Sequence, residues 1–332
     1  MQCSDDVLGL IFEFLVCSVQ VWGELQRVNS RFRRCVRTPR KIFGLVECEP
    51  QNLTLLGTCA AGVLCLKLKP CMELCGLRGF SALLLLDLSD CIQLTADNIK
   101  ELAALTSLQI LRYSPDVNIG DTELVEMGAL SNLRMLSLVR GNSADMLTDV
   151  GMRALSAFEQ LECLALDWRD NITRVGFKSL ESLVMLNKLS LAGCHQVTNE
   201  TLSYLKPLTR LRKLDLSNTF VTSAGMQALP FGSITYLNLS GMSISAHFIL
   251  ALVCFERLKT LLLCDTDVTD EGLQAVSALR KLRSLDIAGC VNVTNDGVYA
   301  AAKAPQITAI RIRFCYNINC MRLYLRHGIS LI

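Results

Sequence analysis

Three histidines, sixteen cysteines and one dense basic run are the features of this 332-residue chain whose chemistry could be reactive. A histidine set beside a carboxylate or a nucleophile would serve acid–base catalysis. Paired cysteines at short spacing would hold a metal. His195, His247 and His327 lie far apart in the sequence, and none sits beside a recurring acid or nucleophile pattern. Cys71-x3-Cys75 and Cys315-x4-Cys320 each lack a second pair at metal-ligand spacing. No catalytic residue, metal ligand or cofactor is therefore assigned, and an enzyme is not expected.

The basic run RVNSRFRRCVRTPRK carries Arg27, Arg31, Arg33, Arg34, Arg37, Arg40 and Lys41. Such density attracts backbone phosphates without reading sequence. No zinc-finger spacing, glycine-rich phosphate loop or aromatic stacking pair accompanies it, so it reads first as a solvated face. RNA contact through Arg27–Lys41 is the secondary reading. The net charge of +2 adds no global argument for nucleic acid.

The elements that must position these residues are written in a repeating sentence. LRSLDIAGCVNVTNDGV, residues 282–298, places apolar residues at Leu282, Leu285 and Ile287, then a small-residue bend, a cysteine and a polar VTNDG. Related copies begin at Val63, Leu83, Leu108, Leu133, Leu161, Leu186, Leu211, Ile234, Leu258 and Ile307, at intervals of 20 to 28 residues. A period in this range marks a solenoid, and L-x-x-L-x-L is the leucine-rich-repeat signature. Leu285 and Ile287 share one face of a short strand while Asp286 faces the other way. EGLQAVSAL puts Leu273, Val276 and Leu279 at helical spacing, so the chain returns as a helix with its apolar stripe inward. The expected fold is an α/β solenoid, with parallel strands on a concave face and helices on a convex one, over residues 46–332. One unit cannot bury its own apolar side, whereas stacked neighbours can.

Composition fits this frame. The chain is 51% hydrophobic, and its mean hydropathy is +0.36. No apolar run reaches the ~18–20 residues that cross a bilayer. The apolar stretch 8–21 is broken by Glu13 and lacks the basic start of a signal peptide. Cys71, Cys91, Cys194, Cys290 and Cys315 all stand eight residues after the first apolar residue of their repeats. A stacked column of buried free thiols explains them better than disulfides do, in keeping with a reducing compartment, the cytoplasm or the nucleus. The sequons at Asn52, Asn199 and Asn292 read as bends and helix caps.

Residues 1–45 do not follow the repeat. Asp5 or Asp6 can cap a helix carrying Val7, Leu8, Ile11, Phe12 and Leu15, followed by a segment with Trp22, Leu25, Val28, Phe32 and Val36 and a third short helix near Pro39. DDVLGLIFEFL and VNSRFRRCV together resemble an F-box, with Cys3-Ser4 where that family has Leu-Pro. The repeats resemble the cysteine-containing class of leucine-rich repeats, which often follows an F-box. The resemblance implies a Skp1-like adaptor docked through Leu8, Ile11, Phe12, Leu15 and Val28, with a protein substrate held by the repeats. The chain would then be the non-catalytic substrate-recognition subunit of a cullin–RING ubiquitin ligase. A second reading has the same residues closing the open end of the solenoid. The alternative function is a structural scaffold in a large protein or ribonucleoprotein assembly.

A partner on the concave face would meet two outward columns of the strands. From Ser190 to Ala288 these are mostly small or acidic and supply few anchors. Interfaces draw their energy from a few aromatic and arginine residues. The candidates are Arg112, Arg140, Trp168, Arg169, Tyr236, Arg311, Arg313 and Phe314. Tyr113 takes an inward leucine position and reads as core.

Overall fold

A computed structural model describes residues 42–48, 63–68, 76–91, 95–113, 119–140, 145–230, 232–244, 246–319 and 328–332. The strands follow the repeat: β1 (Ile42–Cys48), β2 (Val63–Leu68), β3 (Leu85–Leu88), β4 (Ile110–Tyr113), β5 (Met135–Ser137), β6 (Cys163–Ala165), β7 (Lys188–Ser190), β8 (Lys213–Asp215), β9 (Tyr236–Asn238), β10 (Thr260–Leu262), β11 (Ser284–Asp286), β12 (Ala309–Arg311) and β13 (Ser330–Leu331). They form one sheet in chain order. From β2 onward each strand pairs parallel with the next. The fold is a parallel-sheet leucine-rich-repeat solenoid with alternating helices. Two strands go beyond the sequence expectation. β13 lies past the last repeat recognised, and β1 runs through the boundary placed at residue 45. The helical module expected over 1–45 otherwise lies outside the described residues.

Register turns the repeat into a core. Leu164, Leu189, Leu214, Leu237, Leu261, Leu285 and Ile310 are consecutive partners across seven strands, and each is buried. Fully burying one such side chain is worth about 1.5–3 kcal/mol, so a column of them holds the stack against chain entropy. On the return path Leu273 and Val276 of the helix Asp270–Val276 are buried, as the spacing predicts, and Leu279 just beyond it is too. Several returns are shorter than expected and finish as 3-10 turns, at Arg153–Ala157, Lys178–Ser182 and Leu252–Cys254. A 3-10 turn rises about 2.0 Å per residue against 1.5 Å in an α-helix, so it spans the convex side with fewer residues.

The polar half of the repeat bonds one unit to the next. Asp149 Oδ1 accepts hydrogen bonds from Thr173 N at 2.7 Å and Gly176 N at 3.0 Å, and its Oδ2 accepts from Thr173 Oγ1 at 2.6 Å. Asp121 makes the same set with Thr148 and Gly151. Asp270 holds Thr294 in the same way, and Asn199 holds Thr222. A Cβ added at Gly176 would stand 2.4 Å from Asp149 Oδ1, which is why the repeat writes glycine there. The threonines also cap their own helices: Thr173 Oγ1 accepts from Val175 N at 3.2 Å. The polar piece read as caps and bends is thus also a ladder between repeats.

The cysteine column is a second ladder. Cys194 Sγ donates to the Leu166 carbonyl, Cys290 Sγ to that of Leu263 and Cys315 Sγ to that of Ile287, each at 3.0 Å. Each thiol thereby satisfies a strand-end carbonyl of the preceding repeat. Burial pushes the Cys194 thiol up to about 12. All eight described cysteines are free.

Candidate functional site

The outward residues of the middle strands form a shallow concavity of about 300 Å³ over β5 to β9. Two of its outward columns are the ones read from the sequence. In the first, Asp215 Oδ1 accepts from Ser217 N at 2.9 Å and Ser217 Oγ at 2.6 Å, and its Oδ2 accepts from Asn238 Nδ2 at 2.8 Å. Asn238 Oδ1 repeats the pattern with Ser240 N and Oγ. Asp167, in the second column, accepts from Ala192 N at 3.2 Å. Burial raises the Asp167 carboxyl above its ordinary value, a hydrogen bond from Ser190 opposes the rise, and the nearby Asp215 adds to it. These acids are largely occupied in holding strand ends.

A third outward column, two residues after the first apolar residue of each repeat, was not considered in the sequence reading. Here it runs Met135, Cys163, Lys188, Lys213 and Tyr236 in consecutive register. Lys188 and Lys213 are exposed. The Lys213 ammonium lies 5.8 Å from the Tyr236 ring centroid, a cation–π contact. Burial raises the Cys163 thiol, and the Lys188 charge beside it partly offsets that. Tyr236 is half-buried on this face, and burial, followed by the Asp215 charge, raises its hydroxyl.

Past the strand ends stands an aromatic ridge. Trp168 is 45% exposed and Phe220 65%. The His195 ring lies between them, 6.3 Å from Trp168 edge-on and 5.7 Å from Phe220. His195 Nδ1 is 2.8 Å from Asp170 Oδ1, and Arg140 Nη1 donates to Asp170 Oδ2 at 3.3 Å. Trp168 adopts φ 62°, in the left-handed region. The same repeat position holds Gly193, Asn218, Gly241, Asp265 and Gly289, all with positive φ, and then Phe314 at φ 60°. Glycine, asparagine and aspartate enter this region readily, whereas a tryptophan or phenylalanine does so at a cost. Trp168 lies over Gly193, where an added Cβ would come within 2.3 Å of the indole.

The contact candidates fall into three groups. Arg112 is half-buried on β4, and Arg140, Trp168 and Tyr236 border the concavity or the ridge. Arg311, Arg313 and Phe314 are exposed together near the last strands with Tyr316, and Arg311 Nη1 donates to Asp286 Oδ2 at 3.3 Å. Arg169 requires a correction. It is 1% exposed and stands at the cysteine position of its repeat. Its Nε donates to the Leu138 carbonyl at 2.7 Å, as the thiols do elsewhere, and its Nη1 pairs with Asp145. It is an internal clamp, and the flanking Trp168 gave the sequence no sign of that. Tyr113 points its hydroxyl at the Ser137 carbonyl from an inward position. Leu8, Ile11, Phe12, Leu15, Val28 and the run Arg27–Lys41 lie outside the described residues.

Among the described residues no group of three histidine, cysteine or acidic side chains could hold a metal, and no helix is long and apolar enough to cross a membrane. The protein is a non-catalytic repeat protein.

A family model described as a leucine-rich repeat matches residues 278–300. No curated protein matches the sequence. Among solved structures, an internalin (inlF) from Listeria monocytogenes is similar over 84% of this chain and 75% of its own, at 19% identity and a TM-score of 0.61. The mouse RP105/MD-1 complex is similar over 79% of this chain and 48% of the matched one, at 19% identity and a TM-score of 0.53. These likenesses show the fold. They overturn the ubiquitin-ligase expectation: neither these relatives nor the family model carries an F-box or an adaptor-docking subunit. The F-box resemblance rested on apolar spacing at Val7, Leu8, Ile11, Phe12 and Leu15, which any helix closing a leucine-lined end would also show.

Proposed function

We propose that this chain is a structural scaffold, a non-catalytic solenoid that holds protein partners in a larger assembly. The observation that carries this reading is the exposed ridge of Trp168, His195 and Phe220 along the strand ends. Large aromatics left in water, one of them in a costly backbone conformation, match the anchors that dominate protein interfaces. Arg112, Arg140 and Tyr236 flank this surface, while Arg311, Arg313, Phe314 and Tyr316 offer a second contact area toward the last strands. The cysteine ladder supports placing the repeats in the cysteine-containing class. Its protonated thiols suit a reducing compartment, so the cytoplasm or nucleus is the proposed location. Residues 1–45 are proposed as a separate cap, with the solenoid following.

The test is co-fractionation of tagged full-length protein, comparing wild type with Trp168→Ala/Phe220→Ala. A fixed, stoichiometric set of partners that the double variant releases is the expected result. A wild-type protein that elutes alone, or a set held equally by the folded variant, would sink the proposal.

A further inference from the structure

The row Cys163–Lys188–Lys213–Tyr236 points to the chemistry of the partner. Lys188 and Lys213 are direct register partners on β7 and β8, so two like charges emerge from strands about 4.8 Å apart. Like charges directly opposite each other on one sheet face destabilise it. The neighbouring acids do little to relieve this. Asp215 is bonded to Ser217 and Asn238, Asp167 bonds Ala192, and burial disfavours the charged form of Asp167. The lysine pair stands in the concavity, with the Tyr236 ring on one side and Cys163 on the other. Two ammonium groups beside an aromatic ring suit a ligand with adjacent carboxylates and an apolar neighbour.

We infer that this concavity docks an acidic segment of a protein partner, its Asp or Glu carboxylates between Lys188 and Lys213 and an adjacent apolar side chain against Tyr236. The inference rests on the scaffold reading and specifies which kind of chain enters this part of it. The surrounding Ala165 and Ser190 are small enough to let a backbone approach the strands.

The experiment is fluorescence anisotropy on the full-length protein with a labelled peptide of alternating Glu and Asp around one Phe. The comparison peptides are its Gln/Asn counterpart and a version carrying phosphoserine in place of the acids. Lys188→Glu/Lys213→Glu reverses the site, and Lys178→Glu, on the exposed turn Lys178–Ser182, controls for net charge. The acidic peptide should bind at least about tenfold tighter than its amide counterpart. The double reversal should erase that preference, Lys178→Glu should leave it, and added salt should weaken it. Equal binding of the amide peptide, equal loss in Lys178→Glu, or binding of the phosphopeptide alone would each overturn the inference. If the lysine reversal also leaves the co-fractionating set intact, the scaffold reading survives and only this inference falls.

Discussion

Arg169 Nη1 lies 2.6 Å from Asp145 Oδ1, between side chains only 2% and 4% exposed. Asp145 belongs to the longest repeat, the 28 residues from Leu133 to the start at Leu161. Its backbone carbonyl also accepts from Asn171 Nδ2 at 2.7 Å. The extra length of that repeat is thus pinned to the next repeat by a guanidinium in the place where other repeats put a thiol. The guanidinium reaches both the strand-end carbonyl and the added loop, which a cysteine could not.

Removing one partner of this pair should be severe. Arg169→Ala leaves a buried carboxylate and an unbonded carbonyl, and should lower stability by about 3–5 kcal/mol. The double variant Arg169→Met/Asp145→Leu should lose less than Arg169→Ala, because no charge is left buried. Urea titrations followed by both circular dichroism and fluorescence would measure this. A double variant less stable than the single one would contradict the account.

What the sequence showed follows from what repeats. The period, the strand face and the buried thiol column recur, so their spacing alone exposed them. Arg169 occurs once and breaks the column, so nothing in the spacing separated it from Trp168 beside it. Lys188 and Lys213 were legible in principle, because a position two residues after the first leucine must face outward. The acidic columns drew attention away from them. The Trp168–His195–Phe220 ridge joins residues from three repeats at two different repeat positions, a relation visible only once the units are stacked. The match at residues 1–45 rested on apolar spacing that is too general to identify an F-box.

The ladder of Asp149, Thr173 and Gly176 makes a sharp contrast between two glycines. Gly176→Ala would drive a methyl to within 2.4 Å of Asp149 Oδ1 and dislodge a carboxylate that holds three donors. A loss of about 2–3 kcal/mol is expected. Gly232→Ala meets nothing within 4 Å and should stay within about 0.5 kcal/mol of wild type. Denaturant midpoints of the two variants give the answer, and equal losses would refute the ladder's role.

The thiols set an alkaline limit on the fold. Burial raises Cys194 to about 12, and burial with the Asp286 contact raises Cys264 to about 11, from an ordinary 9.0. The unfolded chain therefore releases these protons first as pH rises. Their contribution is complete below about pH 9 and is lost between there and pH 11–12. Wild-type stability should fall through this window, and Cys194→Ala/Cys264→Ala should fall less steeply from its own lower starting point. Identical slopes would remove the thiols as the cause. At pH 8 iodoacetamide should label the exposed Cys254 well before Cys194, since only the thiolate reacts.

Trp168 and Phe314 test whether the ridge was kept for binding. Asn218 occupies the same backbone state with its side chain over Gly241, so asparagine fits the fold at this position. The left-handed conformation costs a bulky residue about 1–2 kcal/mol, which asparagine largely avoids. For Trp168→Asn the relief is offset by uncovering Gly193, and stability should change by no more than about 1 kcal/mol. Phe314 is 70% exposed, so Phe314→Asn should gain about 0.5–1 kcal/mol. Denaturation paired with co-fractionation separates the two roles: Trp168→Asn should keep the fold and lose partners. A variant that loses several kcal/mol instead would make Trp168 a structural cover, and the ridge would then owe its aromatics to the solenoid itself.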